Sequence, residues 1–126
     1  MQVFKTKWFA RFARQESIAD VSLLEAIQRA ERGLIDADLG GGLIKQRVAR
    51  PGKGRSGGYR AVIAYRMGNR AVFIFALAKS DRENFAENEL QAAREIAKIW
   101  IPAPAERIAH GIEESELFEV QYGKEA

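Results

Sequence analysis

The stretch from Gly40 to Lys79 most constrains the fold, because it alternates short strand-like segments with glycine-rich connections. Its periodicity and composition predict three strands, at Leu43 to Ala49, Tyr59 to Met67 and Arg70 to Ala78. Gly68-Asn69 fits a tight hairpin turn between the last two strands. Consecutive strands with short connections predict an antiparallel sheet.

The flanking segments predict helices and three further strands. Before the central stretch they are a strand at Gln2 to Lys5, a helix from Lys7 capped by Thr6, a helix at Ser17 to Arg32 capped by Asp20 or Ser22, and a strand at Leu34 to Leu39. After it they are a helix at Ala86 to Ile101, a short helix at Ala105 to Glu114 and a strand at Leu117 to Val120. The expected fold is α+β, with a small antiparallel sheet of four to five strands. An N-terminal helical hairpin and a C-terminal helix pack on one side of it. We expect one domain over residues 1–126, with a core at about 2–101 and an acidic C-terminal extension at 102–126.

Charge is segregated along the chain, although the net charge is only +3. The stretch from Gly40 to Lys79 has nine Lys and Arg residues and no Asp or Glu, whereas residues 101–126 have six Glu against two basic residues. A basic sheet with a basic loop predicts a polyanionic partner. The alternative is that these cations only keep a sheet edge soluble.

The composition excludes several classes of protein. With no cysteine there is no disulfide framework and no thiolate zinc site, and the single histidine, His110, leaves little for a His-based metal site or a catalytic triad. We interpret His110 as a solvent-facing or capping residue and expect no metal and no cofactor. No apolar run approaches the roughly 20 residues of a membrane span, and the N-terminus lacks a signal-peptide core. A cytoplasmic protein is the expectation.

Basic side chains on neighbouring strands are the candidate site. Strand alternation places Lys45 and Arg47 on one face, and Arg60 joins them if the register allows. Clustered like charges lower the pKa of a lysine, which would then serve as a general base, while arginine binds phosphate. This set suits RNA cleavage in which the substrate's own 2′-hydroxyl attacks the phosphate without a metal. A passive RNA-binding sheet would use the same cluster, and Tyr59, Tyr65 or Phe85 would stack on bases unless they pack in the core.

At these residues the chain resembles the RelE/HigB-like toxins of type II toxin–antitoxin systems. The resemblance covers roughly Phe4 to Trp100. It rests on a Lys-x-Arg strand at Lys45, on Gly57-Gly58-Tyr59-Arg60 and on Ala78-Lys79-x-x-Arg82-x-Asn84. It implies a small antiparallel sheet with packed helices. It also implies a ribosome-dependent endoribonuclease that cuts mRNA in the A site, with a neutralising antitoxin that is often a helix-turn-helix protein.

The resemblance also implies residue roles. The implied catalytic residues are Lys45, Arg47, Arg60, Lys79 and Arg82, with Lys45 as base or phosphate contact and Arg60 on phosphate. The expected RNA-binding residues are Arg50, Lys53, Arg55, Tyr59 and Phe85. Many relatives have a Tyr or His where this chain has Asn84-Phe85-Ala86, and Phe85 cannot transfer protons, which favours Lys45 as the base. A gyrase-targeting ParE-like toxin and a non-catalytic RNA- or ribosome-binding module are the alternatives.

Overall fold

The computed structural model describes residues 1–50, 54–82 and 84–121, with the side chains of 54–56 left aside. Its elements are β1 (Gln2–Thr6), α1 (Lys7–Glu16), α2 (Asp20–Glu31), β2 (Ala37–Gly40), β3 (Leu43–Arg50), β4 (Gly54–Arg66), β5 (Arg70–Ala78), α3 (Glu87–Trp100), α4 (Ala105–Glu113) and β6 (Leu117–Glu119). The order of helices and strands is the predicted one, and the fold is α+β.

The six described strands form one mixed sheet in the order β2-β3-β4-β5-β1-β6. β1 runs parallel to β5, and every other neighbouring pair is antiparallel. The expected all-antiparallel sheet of four to five strands is therefore wrong in strand count and in one pairing. After β1 the chain crosses over through α1 and α2 to the far edge, and the β2-to-β5 meander returns to place β5 beside β1. Strand alternation carries no information about such a distant partner.

Helices cover both faces of the sheet, so the expectation that they lie on one side is wrong. On one face α1 and α2 contribute Phe9, Leu23 and Ile27, which pack with Ile44, Ile63 and Phe73. On the other face α3 contributes Ala93, Ala97 and Trp100, which pack with Leu43, Val62 and Val72. β5 explains this arrangement, because a strand that is apolar on both faces needs cover on both.

Helix α1 begins at the predicted cap. The Thr6 hydroxyl accepts a hydrogen bond from the Phe9 N–H at 3.1 Å and donates one to the Ile74 carbonyl at 3.0 Å. Helix α2 instead follows Ala19, whose side chain cannot cap, so the predicted caps Asp20 and Ser22 are wrong. Asp20 forms an ion pair with Lys5 at 3.0 Å and thereby joins α2 to β1.

The segment after α3 packs against the sheet. β6 pairs antiparallel with β1, and Ile108, Leu117 and Val120 are buried. The glutamates at 106–119 therefore lie on a folded edge, with Arg107 and Glu116 paired at 3.0 Å. None of the helices in the described ranges is both long and apolar enough to cross a membrane.

Candidate functional site

The register of β3 and β4 brings three basic residues together on one face of the sheet. Arg47 lies directly opposite Arg60, and Lys45 lies two residues along β3, opposite Val62. Directly opposite residues have Cβ atoms about 4.5–5.5 Å apart. Leu43 and Val62 lie on this face and pack with the buried residues of α3. Arg47 on the same face is exposed, and Lys45 and Arg60 are half-buried. The predicted placement of the three cations, which we name the basic cluster, is confirmed.

The Gly57-Gly58-Tyr59-Arg60 segment lets β4 approach β3 closely. A Cβ on Gly58 would lie 2.2 Å from the Val48 carbonyl oxygen, so only glycine fits there. Tyr59 then points into the opposite core, where its hydroxyl donates to Glu16 Oε1 at 3.0 Å, and Arg60 returns to the basic cluster. Tyr59 is 1% exposed, which contradicts its expected role in stacking on RNA bases. Burial and the nearby Glu16 raise the pKa of the Tyr59 hydroxyl.

A carboxylate compensates part of the basic cluster, contrary to expectation. Asp36 Oδ2 accepts the Arg47 backbone N–H at 2.6 Å, and Asp36 Oδ1 accepts from Arg47 Nη2 at 3.1 Å. Burial acts to raise the pKa of Asp36, but the Arg47 hydrogen bonds and the charges of Arg47 and Arg29 outweigh it and lower that pKa. Asp36 lies just before the basic stretch from Gly40 to Lys79. It reaches Arg47 because Asp36 directly precedes β2, which pairs with β3.

Two buried polar residues hold Asp36 in place. Arg29 is 4% exposed, donates to Glu25 at 2.8 Å and to the Arg47 carbonyl, and lies 3.7 Å from Asp36. Gln46 is fully buried, and its Oε1 accepts the Asp36 backbone N–H at 2.7 Å. This support for Asp36 was not predicted from the sequence. The inward position of Gln46 on β3 was the available signal, since a buried amide requires partners.

The segment after β5 folds back towards the basic cluster. The Lys79 backbone N–H donates to the Gly58 carbonyl at 3.2 Å, and Lys45 Nζ donates to Asn84 Oδ1 at 3.3 Å. Arg82 forms an ion pair with Glu89, and this hydrogen bond lowers the pKa of the Glu89 carboxyl. Within the described ranges, the side chains of Arg60 and Lys79 make no ion pair or hydrogen bond, so no described carboxylate compensates either charge.

The other expected RNA-binding residues lie in different places. The Arg50 guanidinium lies 5.9 Å from the centre of the Tyr59 ring, on the α1 side of the sheet and away from the basic cluster. Lys53 falls outside the described residues, and so does the side chain of Arg55. Phe85 is half-buried and lines a pocket with Trp8 and Phe75 next to Arg82.

The histidine lies elsewhere in the fold. His110 is exposed on α4, and its Nδ1 is 3.9 Å from a Glu113 carboxylate oxygen. Together with Glu114 these exposed residues could approach a metal ion, but clusters of exposed acidic groups are common without one. Since α4 contacts β6, at the edge of the sheet away from β3 and β4, this group takes no part in the basic cluster.

Comparison with protein families identifies the family of the chain. The family model described as the RelE toxin of the RelE/RelB toxin–antitoxin system matches residues 1–120. The match extends past Trp100, where the motif resemblance ends, and includes α4 and β6. No curated protein and no solved structure shows significant similarity to the chain. Because the match spans nearly its whole length, the chain belongs to the RelE toxin family and is the toxin of a toxin–antitoxin system.

Proposed function

We propose that this toxin is a ribosome-dependent, metal-independent mRNA endoribonuclease that stops translation. The observation that carries the proposal is the basic cluster, in which Lys45, Arg47 and Arg60 occupy one rigid face of two paired strands. A passive surface needs only charge, whereas cleavage needs a proton acceptor next to phosphate ligands. The cluster holds both kinds of group within a few residues of each other.

The reaction breaks the RNA backbone by internal transfer. Lys45 acts as the general base that takes the proton of the 2′-hydroxyl, the 2′-oxygen bonds to the adjacent phosphorus, and the bond from phosphorus to the 5′-oxygen breaks. Arg47 and Arg60 stabilise the extra negative charge of the phosphorane. Lys79, whose ammonium has no carboxylate partner in the described part of the chain, donates a proton to the leaving 5′-oxygen. Arg82 adds positive charge, which its ion pair with Glu89 partly compensates.

The proposed setting of this chemistry is the one that the family resemblance implies. The substrate is mRNA in the ribosomal A site, where the ribosome presents the strand in the geometry of attack. The partner is a cognate antitoxin of the helix-turn-helix type, and the compartment is the cytoplasm. The exposure of Arg47 and Arg82 fits a surface that meets a large ribonucleoprotein. An antitoxin would neutralise the toxin by covering the same cations.

RNA-end mapping on programmed ribosomes tests the proposal. We expect wild-type toxin to cut within the A-site codon, and Lys45→Ala and Arg60→Ala each to lower the cleavage rate by about 100-fold or more. Arg66→Ala is the matched control, because Arg66 is an exposed arginine on the same strand at the end away from Arg60. It removes the same charge, and we expect nearly wild-type cleavage.

End mapping, together with ribosome-binding and in-cell measurements, identifies a different target or a passive role. Cleavage at the wild-type rate by a Lys45→Ala, Arg60→Ala double variant would overturn the mechanism. Salt-sensitive ribosome binding without new RNA ends would indicate a non-catalytic binding module. DNA-damage signalling in expressing cells, with translation unaffected, would instead indicate a toxin that acts on gyrase.

A further inference from the structure

Asn84 lies outside the basic cluster and contacts its lysine. The side-chain oxygen Oδ1 of Asn84 accepts a hydrogen bond from Lys45 Nζ at 3.3 Å. Among the residues that the structure describes, Lys45 Nζ has no other hydrogen-bond partner and no ion pair. Lys45 lies on β3, and Asn84 lies 39 residues later in the segment between β5 and α3. The orientation of the Lys45 amine in the free protein therefore depends on a side chain from a separate part of the fold.

A lysine side chain needs such a partner if its amine is to stay in one place. Its four methylene groups give it many rotamers, and this freedom is lost when the amine is fixed. Arg47 on the same strand and Arg60 on the neighbouring strand also repel the Lys45 ammonium. A hydrogen bond to a fixed oxygen opposes both effects.

The acceptor is uncharged, which suits a general base. An aspartate at the same place would form an ion pair with Lys45 and favour the charged ammonium, which cannot take a proton. The carboxamide oxygen of Asn84 accepts one N–H of the amine and adds no negative charge. An unprotonated amine that donates one N–H to Asn84 keeps its lone pair for the 2′-hydroxyl of the substrate.

Asn84 is itself connected to the start of α3. Its backbone carbonyl accepts a hydrogen bond from Arg82 Nη1 at 3.5 Å, and the Arg82 guanidinium forms an ion pair with Glu89 in the first turn of α3. The other carboxylate oxygen of Glu89 accepts the Ala86 N–H at 2.7 Å, so the same side chain caps the helix. The buried side of α3 packs against the sheet. A continuous set of contacts therefore leads from a packed helix to the amine of Lys45.

We propose that Asn84 is a positioning residue for RNA cleavage and holds the Lys45 amine where it meets the 2′-hydroxyl. The proton passes from the 2′-oxygen to Lys45 Nζ, while Asn84 takes no proton and does not touch the RNA. This inference rests on the proposed function, because it concerns the base of that reaction. Asn84 then affects the rate of the chemical step, and it does so only through Lys45.

Cleavage of the A-site codon on programmed ribosomes, measured in single turnover over a range of toxin concentrations, tests this role. We expect Asn84→Ala to lower the rate at saturating toxin by about 10- to 100-fold, the range for a misplaced reacting group, with the half-saturating concentration little changed. Asn84→Leu keeps the size of the side chain but has no oxygen, so it should show the same loss. Asn69→Ala is the matched control, because the exposed Asn69 side chain makes no hydrogen bond in the described part of the chain and lies in the turn between β4 and β5.

A double-mutant cycle separates the positioning of Lys45 from any other role of Asn84. The amine is already absent from Lys45→Ala, so adding Asn84→Ala to that variant should cause no further loss of rate. If the two losses multiply instead, Asn84 acts on the RNA or on the fold independently of Lys45, and the inference is wrong.

The single variants distinguish failure of the inference from failure of the proposed function. If Asn84→Ala cuts like the wild type while Lys45→Ala does not, Asn84 does not position the base and the proposed function stands. A higher half-saturating concentration for Asn84→Ala with an unchanged saturating rate would make Asn84 a binding residue and would equally overturn the inference. If Lys45→Ala itself cuts at the wild-type rate, the proposed mechanism fails together with the inference.

Discussion

Asp36 contacts Arg47 through both carboxylate oxygens, one on the backbone N–H and one on the guanidinium. The buried Arg29 binds the Arg47 carbonyl from the other side. Arg47 is therefore fixed at its main chain and at its charged end, although its side chain is 47% exposed. Such fixation suits a group that must meet developing charge, and the carboxylate also lowers the net charge that an RNA meets before reaction.

Removing Asp36 should affect binding and chemistry in opposite directions. We expect Asp36→Ala to bind single-stranded RNA several-fold more tightly, because one negative charge leaves the basic cluster. The cleavage rate at saturating ribosomes should fall by about 10- to 100-fold, because Arg47 is no longer held in position. Rates measured over a range of ribosome concentrations separate the two effects.

Asp36→Asn is the control for this pair of effects. Its carboxamide oxygen can still accept the Arg47 backbone N–H, so we expect its cleavage rate to lie between those of the wild type and Asp36→Ala. Equal losses of affinity and rate in Asp36→Ala, with an unchanged circular dichroism spectrum, would contradict a positioning role.

Stability should fall in acid through the same carboxylate. The pKa of Asp36 is lowered in the folded state, so the unfolded chain, whose aspartates have a pKa of about 3.9, takes up the proton first as the pH falls. The stabilisation is therefore complete above about pH 4 and is lost as the pH falls through the folded pKa. Urea unfolding at a series of pH values should show a shallower acid decline for Asp36→Asn. An equally steep decline in that variant would assign the effect to other carboxyls.

Local sequence signals predicted the elements well and their assembly less well. The strand Arg70–Ala78 has the predicted bounds at both ends. An apolar run that directly follows a Gly-Asn turn strongly favours a buried strand of a hairpin. The parallel pairing of β1 with β5 could not be predicted in this way, since it depends on residues about 68 apart in sequence, such as Gln2 and Arg70.

The candidate site shows the same division. Strand alternation placed Lys45 and Arg47 together, and the pairing with β4 added Arg60. The Asp36 contact was not predicted, because Asp36 lies before Gly40, outside the basic stretch from Gly40 to Lys79, and reaches Arg47 only through the pairing of β2 with β3. Tyr59 was assigned to RNA, although the alternation that turns Arg60 to one face turns its neighbour into the core. A strand residue next to a site residue faces away from that site.

The double role of Thr6 makes a testable contribution to stability. Thr6→Ala removes the cap of α1 and the hydrogen bond from the Thr6 hydroxyl to the Ile74 carbonyl of β5. We expect a loss of about 2 kcal/mol in the free energy of unfolding, the upper end for a lost cap, measured by urea denaturation. Thr6→Ser keeps the hydroxyl and should lose much less. A loss below about 0.5 kcal/mol for Thr6→Ala would mean that water replaces both bonds.

The close approach of β4 to β3 at Gly58 should be intolerant of any side chain. A methyl group there would meet the Val48 carbonyl oxygen and the Arg50 backbone nitrogen, which cannot move without opening the strand pair that holds Arg47 opposite Arg60. We expect Gly58→Ala to lower the free energy of unfolding by about 3 kcal/mol, the upper range for overpacking, and to reduce ribosomal cleavage even at temperatures where it stays folded.

Gly42→Ala separates a steric clash from the general effect of replacing glycine. Gly42 has a φ of +81° but meets no atom within 4 Å, so its substitution should cost only the roughly 1–2 kcal/mol of a left-handed backbone. It should leave cleavage intact once the protein is folded, because β3 and β4 keep their spacing at the basic cluster. If Gly58→Ala unfolds no more easily than Gly42→Ala and cuts RNA normally, the tight β3–β4 contact does not position the site.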